Sequence, residues 1–140
     1  MKSPEAMRRL VRDLHDDGSH YELLRELLEQ QFQAALRHQT ETLSDLAERI
    51  VEEVEVLDRH RRDRVLLLGR LGLKLPASMQ DVFAMLDEGP RVTLTAWWQG
   101  LELLVRECKA LNARNCRLLM DQNATMQRVL NQEADIYVPS

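Results

Sequence analysis

The sequence predicts an all-α fold: an elongated antiparallel hairpin of two long helices with a short N-terminal helix and a short connector helix. Three observations predict it. Apolar residues recur at three- and four-residue steps, two long stretches contain no proline, and aromatic residues make up only 4% of the 140 residues. These features are typical of helical bundles rather than of sandwiches or barrels. The length fits a single helical domain over residues 1–140.

The first half of the chain is predicted to hold a short helix and a long one. The short helix spans about 4–15, and the Gly18–Ser19 pair separates it from a long helix at about 20–72. Gly72 offers a left-handed cap for the long helix. Pro76 then forbids its continuation, because proline lacks the backbone donor that a helix needs.

The second half is predicted to hold the connector and the second long helix. Ser78 and Asp81 resemble a capping arrangement at the start of a connector helix of about 79–87. The second long helix spans about 93–134 and must reverse direction to bury its apolar stripe against the first. The tail, 135–140, loses the apolar period, and we expect it to be mobile.

Charge and motif content exclude several classes of function. The net charge of -4 argues against nucleic acid as a partner, because phosphate binding needs a basic surplus. The sequence has no run of about 18 apolar residues, so we expect no stable membrane insertion. Because we find no phosphate loop, zinc-protease pair or nucleophile elbow, we expect no enzyme activity, cofactor or metal site. The two cysteines fit a cytoplasmic protein with reduced thiols.

The histidines suggest one alternative function. A histidine phosphotransfer domain is also a small acidic helical bundle with an exposed histidine, and His38 and His60 are the candidates. That family has a glycine in the turn after its histidine, and both sites here lack it. We therefore favour the interpretation that these are ordinary histidines on solvated helix faces over a phosphotransfer function.

Two pairs of residues on the second long helix suggest contacts with a partner. Trp97 and Trp98 point about 100° apart, so both cannot face one narrow seam, and one is a candidate for partner contact. Asn112 and Asn115 lie three residues apart and share a helix face. They could fix the register of a helical seam or line a groove that a partner helix fills. The residues alone leave these two accounts open.

Two segments resemble a known family, the FlgN-like flagellar export chaperones. The first, "LLEQQFQAALRHQTETLSDLAERIVEEVEVLDRHRRDRVLLLGRLGL", is similar to the family's long helix and its "LLxxLGL"-like end. The second, "ECKALNARNCRLLMDQNATMQRVLN", is similar to its "LNxxNxxLI" signature. The matching positions are Leu67, Leu68, Leu71, Gly72 and Leu73 in the first segment, and Leu111, Asn112, Asn115, Leu118 and Leu119 in the second.

The resemblance implies a cytoplasmic chaperone of type III flagellar export. Such a protein binds C-terminal helical segments of hook-associated junction proteins, prevents their premature assembly and delivers them to the export gate. Contacts with export gate or export ATPase components are implied as possible partners. The implied client-binding residues are Leu111, Asn112, Asn115, Leu118, Leu119, Gln122, Met126, Val129 and Leu130, with Trp97, Trp98 and Tyr137 as possible partner contacts. The alternative from another class is a structural coiled-coil or dimerisation module.

Overall fold

The computed structural model describes the backbone of residues 3–137 and the side chains of residues 4–132. It contains four helices: α1 (Ser3–Leu36), α2 (Thr40–Arg70), α3 (Met79–Phe83) and α4 (Glu88–Tyr137). Within the described backbone every regular element is a helix. The predicted all-α class is therefore confirmed.

Helix α1 lies between α2 and α4 and packs against both. Three hydrogen bonds from α4 to α1 fix the relative direction of these two helices. Cys108, Asn115 and Gln122 bond the carbonyl oxygens of Tyr21, Leu28 and Ala35. Each pair is separated by 87 residues, so α1 and α4 run parallel and keep one register along this length. Because α2 returns antiparallel beside α1, α2 and α4 also run antiparallel. The predicted antiparallel arrangement of the two long helices therefore holds for residues 40–70 but not for residues 20–36, which lie in α1 and run parallel to α4.

The predicted division of residues 4–72 into a short and a long helix is wrong. Helix α1 continues through the Gly18–Ser19 pair and ends at Leu36. A mid-helix glycine costs only about 1 kcal/mol relative to alanine, and the buried stripe of α1 continues on both sides of it, with Leu14 before and Leu24 after. The packing of this stripe therefore outweighs the local preference of Gly18.

The chain reverses instead at residues 37–39, where a Schellman motif ends α1. His38 has a φ of 55°, its N–H donates to Ala35 O, and the N–H of Gln39 donates to Ala34 O. Glycine usually occupies this left-handed position, but histidine is among the few other residues enriched there. The turn is thus encoded without a glycine.

The end of α2 and the start of α3 match their predictions. Gly72, with a φ of 86°, follows the last residues of α2 in a second Schellman motif. Ser78 and Asp81 form a reciprocal capping box at the start of α3. Helix α3 ends at Phe83 and is therefore shorter than the predicted connector of about 79–87.

Helix α4 is longer than predicted at both ends. It begins at Glu88 rather than at about residue 93, because Pro90 falls in the first turn, where the missing N–H leaves no helical hydrogen bond unmade. It continues to Tyr137, so residues 135–137, predicted as the start of a mobile tail, have helical backbone. The rest of that predicted tail, 138–140, lies outside the described residues.

The core forms three clusters along α1. The cluster at the base of the bundle joins α1, α2, α3 and α4, and includes Leu10, Leu14, Leu68, Val82, Phe83 and Leu101. The middle cluster joins α1, α2 and α4 through Leu24, Leu28, Leu57 and Cys108. The cluster nearest the 37–39 turn joins only α1 and α2, through Leu27, Ala34 and Leu46. The support for α4 therefore decreases from the base of the bundle toward the turn.

Candidate functional site

The two asparagines of the signature have different environments. Asn115 is 1% exposed, and its Nδ2 donates to Leu28 O at 2.7 Å and to Gln31 Oε1 at 2.8 Å. Its Oδ1 accepts from Arg114 Nη2 at 3.1 Å. The amide is thus engaged within the α1–α4 interface, which corresponds to the register account. The expected contact of Asn115 with a client stays a prediction, and it would require a side chain that is almost fully buried here to become accessible.

Arg114 secures the amide of Asn115 from its other side. The guanidinium lies 3.7 Å from the centroid of the Phe32 ring and pairs with Glu29 at 2.9 Å. An arginine over an aromatic face gains cation–π attraction in addition to its ion pair. Arg114 therefore orients the amide oxygen and links α4 to α1 through two further residues.

Gln122 also serves the packing of α4 on α1. Its Nε2 donates to Ala35 O at 2.9 Å, next to the Schellman motif that ends α1. The last carbonyls of a helix have no partner within the helix and need one from elsewhere. Gln122 therefore marks the point where α4 passes the end of α1, and its amide nitrogen donates to α1.

Three leucines of the signature, Leu111, Leu118 and Leu119, are half-buried along α4. Leu111 packs against the middle cluster. Asn112, in contrast, is exposed and lines a groove between α2 and α4. The signature is therefore split between the α1 interface and the open surface.

That groove, which we call the α2–α4 groove, has a volume of about 680 Å³. Its floor is α1, and its two walls are α2 and α4. Apolar side chains line it, among them Leu24 and Leu28 on the floor, Val54 and Leu57 on one wall, and Leu101 and Val105 on the other. Along α4 it extends from Trp98 to Asn112. Apolar grooves between helices are one kind of surface on which amphipathic helices bind.

Beyond Gln122, helix α4 projects past the end of α1. Every residue of α4 from Asn123 to Gln132 is exposed, so none of these side chains is buried against the bundle. We call residues 123–137 the α4 end, a length of about 22 Å at about 1.5 Å per residue. Met126, Val129 and Leu130 are 60%, 49% and 55% exposed. At spacings of three and four residues, they form one apolar stripe along the α4 end.

Both tryptophans are half-buried against the base cluster. The Trp97 ring lies 5.7 Å from the ring of His15, centroid to centroid. Trp98 lies under the guanidinium of Arg64 and also lines the α2–α4 groove. Tyr137 is the last described residue of α4, and its side chain lies outside the described side chains.

A polar cluster joins α1 to α2, and the sequence pattern did not reveal it. Asp17 is 1% exposed and accepts from His60 Nδ1 at 2.6 Å and from Arg64. His20 Nδ1 lies 2.7 Å from a carboxylate oxygen of Glu53. The available signal was the position of Asp17, because it falls on the buried stripe of α1 if that helix is continuous. His60, one of the two phosphotransfer candidates, is thus engaged with a buried carboxylate.

Burial also changes the acidity of two groups near these interfaces. Burial raises the pKa of Asp13, against opposing attraction from Arg9 and His60. Burial likewise raises the pKa of the Cys108 thiol, whose sulfur donates to Tyr21 O. Cys116 is exposed. The two thiols therefore differ in access.

From residue 3 to residue 137, no helix combines the length and the apolar character needed to cross a membrane. In the same part of the chain, no three histidine, cysteine, aspartate or glutamate side chains are grouped so that they could hold a metal ion.

Comparison with known protein families gives a match over most of the chain. The family model described as FlgN protein matches residues 1–132, which includes α1, α2, α3 and most of α4. The comparisons with curated proteins and with solved structures found no match. The matched region contains Asn112, Asn115 and most of the α4 end.

Proposed function

The chain belongs to the FlgN family of flagellar export chaperones, and from that premise we propose that it holds hook-associated junction proteins for type III export. It binds their C-terminal helical segments in the cytoplasm, prevents their premature assembly and delivers them to the export gate. The proposal is supported by the family match and by the exposed apolar stripe of the α4 end.

The stripe of the α4 end carries this proposal. Met126, Val129 and Leu130 lie on a helical segment that nothing in the described structure covers. A lone helix in water is marginally stable, and an exposed apolar stripe is stabilised when a second amphipathic helix packs on it. The flexible thioether of Met126 can adjust to clients whose side chains differ.

The proposed client surface is therefore narrower than the sequence suggested. Met126, Val129 and Leu130 form its centre, and Leu118, Leu119 and the exposed Asn112 extend it toward the bundle. Leu111, Asn115 and Gln122 instead support α4 from the α1 side. Trp97, Trp98 and Tyr137 remain proposed contacts for partners, including components of the export gate or export ATPase.

The proposed mechanism is reversible sequestration. A client segment that is disordered and apolar in isolation becomes helical on the stripe, and this ordering lowers the net affinity relative to that of a rigid ligand. Moderate affinity allows the client to be released at the export gate. The chaperone itself needs no bound nucleotide or metal for this step.

The first test measures binding of a fluorescent peptide that spans the C-terminal helical segment of a hook-associated protein. We expect Leu130→Glu to weaken binding by about 10- to 100-fold, because burial of a leucine side chain contributes about 1.5–3 kcal/mol. The matched control is Ala124→Glu, which adds the same charge to an exposed position of the α4 end roughly opposite the stripe. This control should change the affinity by less than about threefold, as surface substitutions generally do.

Equal losses for the two variants would mean that charge alone, rather than the stripe, controls binding. No binding by the unaltered protein would refute the client assignment itself. Co-purification of the tagged protein from flagellated cells gives a second readout. Hook-associated proteins should be recovered, and they should be lost when their C-terminal segments are deleted.

A further inference from the structure

Two histidines form reciprocal pairs with carboxylates across the α1–α2 interface. The Nδ1 atom of His20, on α1, lies 2.7 Å from a carboxylate oxygen of Glu53 on α2. The Nδ1 atom of His60, on α2, lies 2.6 Å from a carboxylate oxygen of Asp17 on α1. The two imidazole rings lie edge to face, with their centroids 5.6 Å apart. We call these four residues, together with Arg64, which also bonds Asp17, the Asp17 cluster.

The charges of the Asp17 cluster do not balance when both imidazoles are neutral. Arg64 contributes one positive charge, whereas Asp17 and Glu53 contribute one negative charge each, so the cluster carries a net charge of about -1. The three side chains are only 13%, 1% and 17% exposed. A net charge is costly there, because little water solvates it. One added proton on the two histidines makes the cluster neutral.

The groups around the Asp17 cluster do not supply the missing positive charge. Its charged or titratable neighbours on α1 are Arg9, Asp13, Asp16 and Tyr21. Burial raises the pKa of Asp13, and the charges of Asp17 and Asp16 add to this rise, against attraction from Arg9 and His60. Burial also raises the pKa of Tyr21, and Asp17 adds to it. Helix α4 contributes the uncharged ring of Trp98, over which Arg64 lies.

A second added proton would be as unfavourable as none. It would place two imidazolium rings at a centroid distance of 5.6 Å, beside the guanidinium of Arg64. Like charges at this distance oppose each other's ionisation. Two histidines this close therefore gain and lose protons as a coupled pair rather than as separate groups.

We propose that the folded protein holds one proton on the His20–His60 pair, and that this proton links the packing of α1 on α2 to pH. In the unfolded chain the two histidines are independent and together bind one proton at about pH 6.5. Above that pH the folded state binds more protons than the unfolded state, and below it the folded state binds fewer. By linkage, stability rises as the pH falls to about 6.5 and decreases at lower pH.

Urea unfolding of the full-length protein between about pH 5.5 and 8.5 tests the proposal. The midpoint should be highest near about pH 6.5. On the alkaline side, the unfolding equilibrium constant should increase by up to about tenfold per pH unit, which is the limit for one proton. A midpoint that is constant, or that changes in one direction only, over this range overturns the proposal.

Glu53→Gln tests whether the charge of the cluster holds the proton. Glutamine keeps the size of the side chain and an acceptor oxygen, but the cluster is then neutral without an added proton. The folded state of this variant should bind fewer protons than the unfolded state throughout, so its midpoint should fall steadily from pH 8.5 to 5.5. The matched control is Glu52→Gln, which removes the same charge from an exposed neighbour and should keep the maximum. A maximum that Glu53→Gln retains overturns the proposal.

His60→Gln gives a different expected profile. One histidine remains, so the folded and the unfolded state each bind at most one proton at low pH. The midpoint should therefore rise as the pH falls and then become constant, without the decrease below pH 6.5. His15→Gln, at an exposed histidine outside the cluster, should leave the profile of the unaltered protein unchanged.

Nuclear magnetic resonance of the unaltered protein counts the protons without any variant of the cluster. The imidazole Cε1 signals of His20 and His60 should show that the pair carries one proton at about pH 6.5 and gains the second only at lower pH. Two independent titrations would overturn the proposal. These experiments contain no client, so their outcome does not depend on the proposed function.

Discussion

Replacement of Asn115 by alanine tests whether the signature asparagine holds α4 in register. The change removes an amide that is 1% exposed and that bonds Leu28 O, Gln31 Oε1 and Arg114. Asn112→Ala is the matched control, since it removes the same amide three residues away at an exposed position. The two variants have the same change in helix propensity and differ only in what the amide contacts.

The magnitude follows from the groups that lose partners. Each buried hydrogen bond contributes about 0.5–1.5 kcal/mol, and the alanine also leaves a small cavity at the α1–α4 interface. The Leu28 carbonyl lies inside α1 and retains a bond within its own helix, which limits the loss. We therefore expect Asn115→Ala to lower the free energy of unfolding by about 2–3 kcal/mol. Asn112→Ala should lower it by less than about 0.5 kcal/mol.

Urea unfolding followed by circular dichroism measures both values. With a slope of about 2 kcal/mol per molar, the Asn115→Ala midpoint should fall by about 1 M or slightly more, and the Asn112→Ala midpoint should barely move. The reasoning is refuted if the two midpoints fall equally. It is also refuted if Asn115→Ala abolishes client binding while its midpoint is unchanged, because the amide would then serve the client rather than the fold.

Three further predictions concern the turn and the titrating groups. His38→Gly should raise the melting temperature by a few degrees in calorimetry, because glycine removes left-handed strain of about 1–2 kcal/mol from the folded state. The greater conformational entropy of the unfolded glycine chain offsets only part of this gain. A fall in melting temperature would contradict the prediction. Because burial raises the pKa of Asp13, the carboxyl stabilises the folded state only while protonated, and this contribution is lost as pH rises through the folded pKa. Asp13→Asn should therefore raise the urea midpoint more at pH 7 than at about pH 3, and an equal rise at both would count against it. Finally, iodoacetamide should modify the exposed Cys116 much faster than the buried Cys108, whose pKa is raised, as mass spectrometry of digests would show.

The sequence predicted the helical class, but it placed the break between the first two helices at Gly18 instead of at residues 37–39, for an identifiable reason. Periodicity and capping residues located the end of α2 and the start of α3 because Gly72, Ser78 and Asp81 act through their immediate neighbours in the chain. At Gly18 and His38 the local preferences point the other way. Burial on both sides of Gly18 depends on α2 and α4, which local preference does not include, and this burial keeps the helix continuous. The chain reverses at His38 instead, and a search for glycine as the left-handed residue at a helix end does not find this position.

The candidate site was predictable in composition but not in orientation. The spacing of Asn112 and Asn115 indicated a special helix face, and both accounts of that face were open. The angle of α4 about its own axis determines which asparagine faces α1, and contacts more than 80 residues away along the chain set that angle. The Asp17 cluster was missed for a related reason, since a buried aspartate is recognisable only once His60 and Arg64 are placed beside it.

The packed part of α4 supports the proposed binding of a partner to its exposed end. An isolated helix of about 15 residues is marginal in water, chiefly because its first turn is costly to form. Here residues 88–122 supply that first turn, so the α4 end only extends a helix that already exists. Asn115 and Gln122 hold the helix to α1 just before it projects, which fixes the direction of the stripe. The proposed partner would therefore bind a stripe whose backbone is already helical. Less of the binding free energy is then spent on ordering the α4 end.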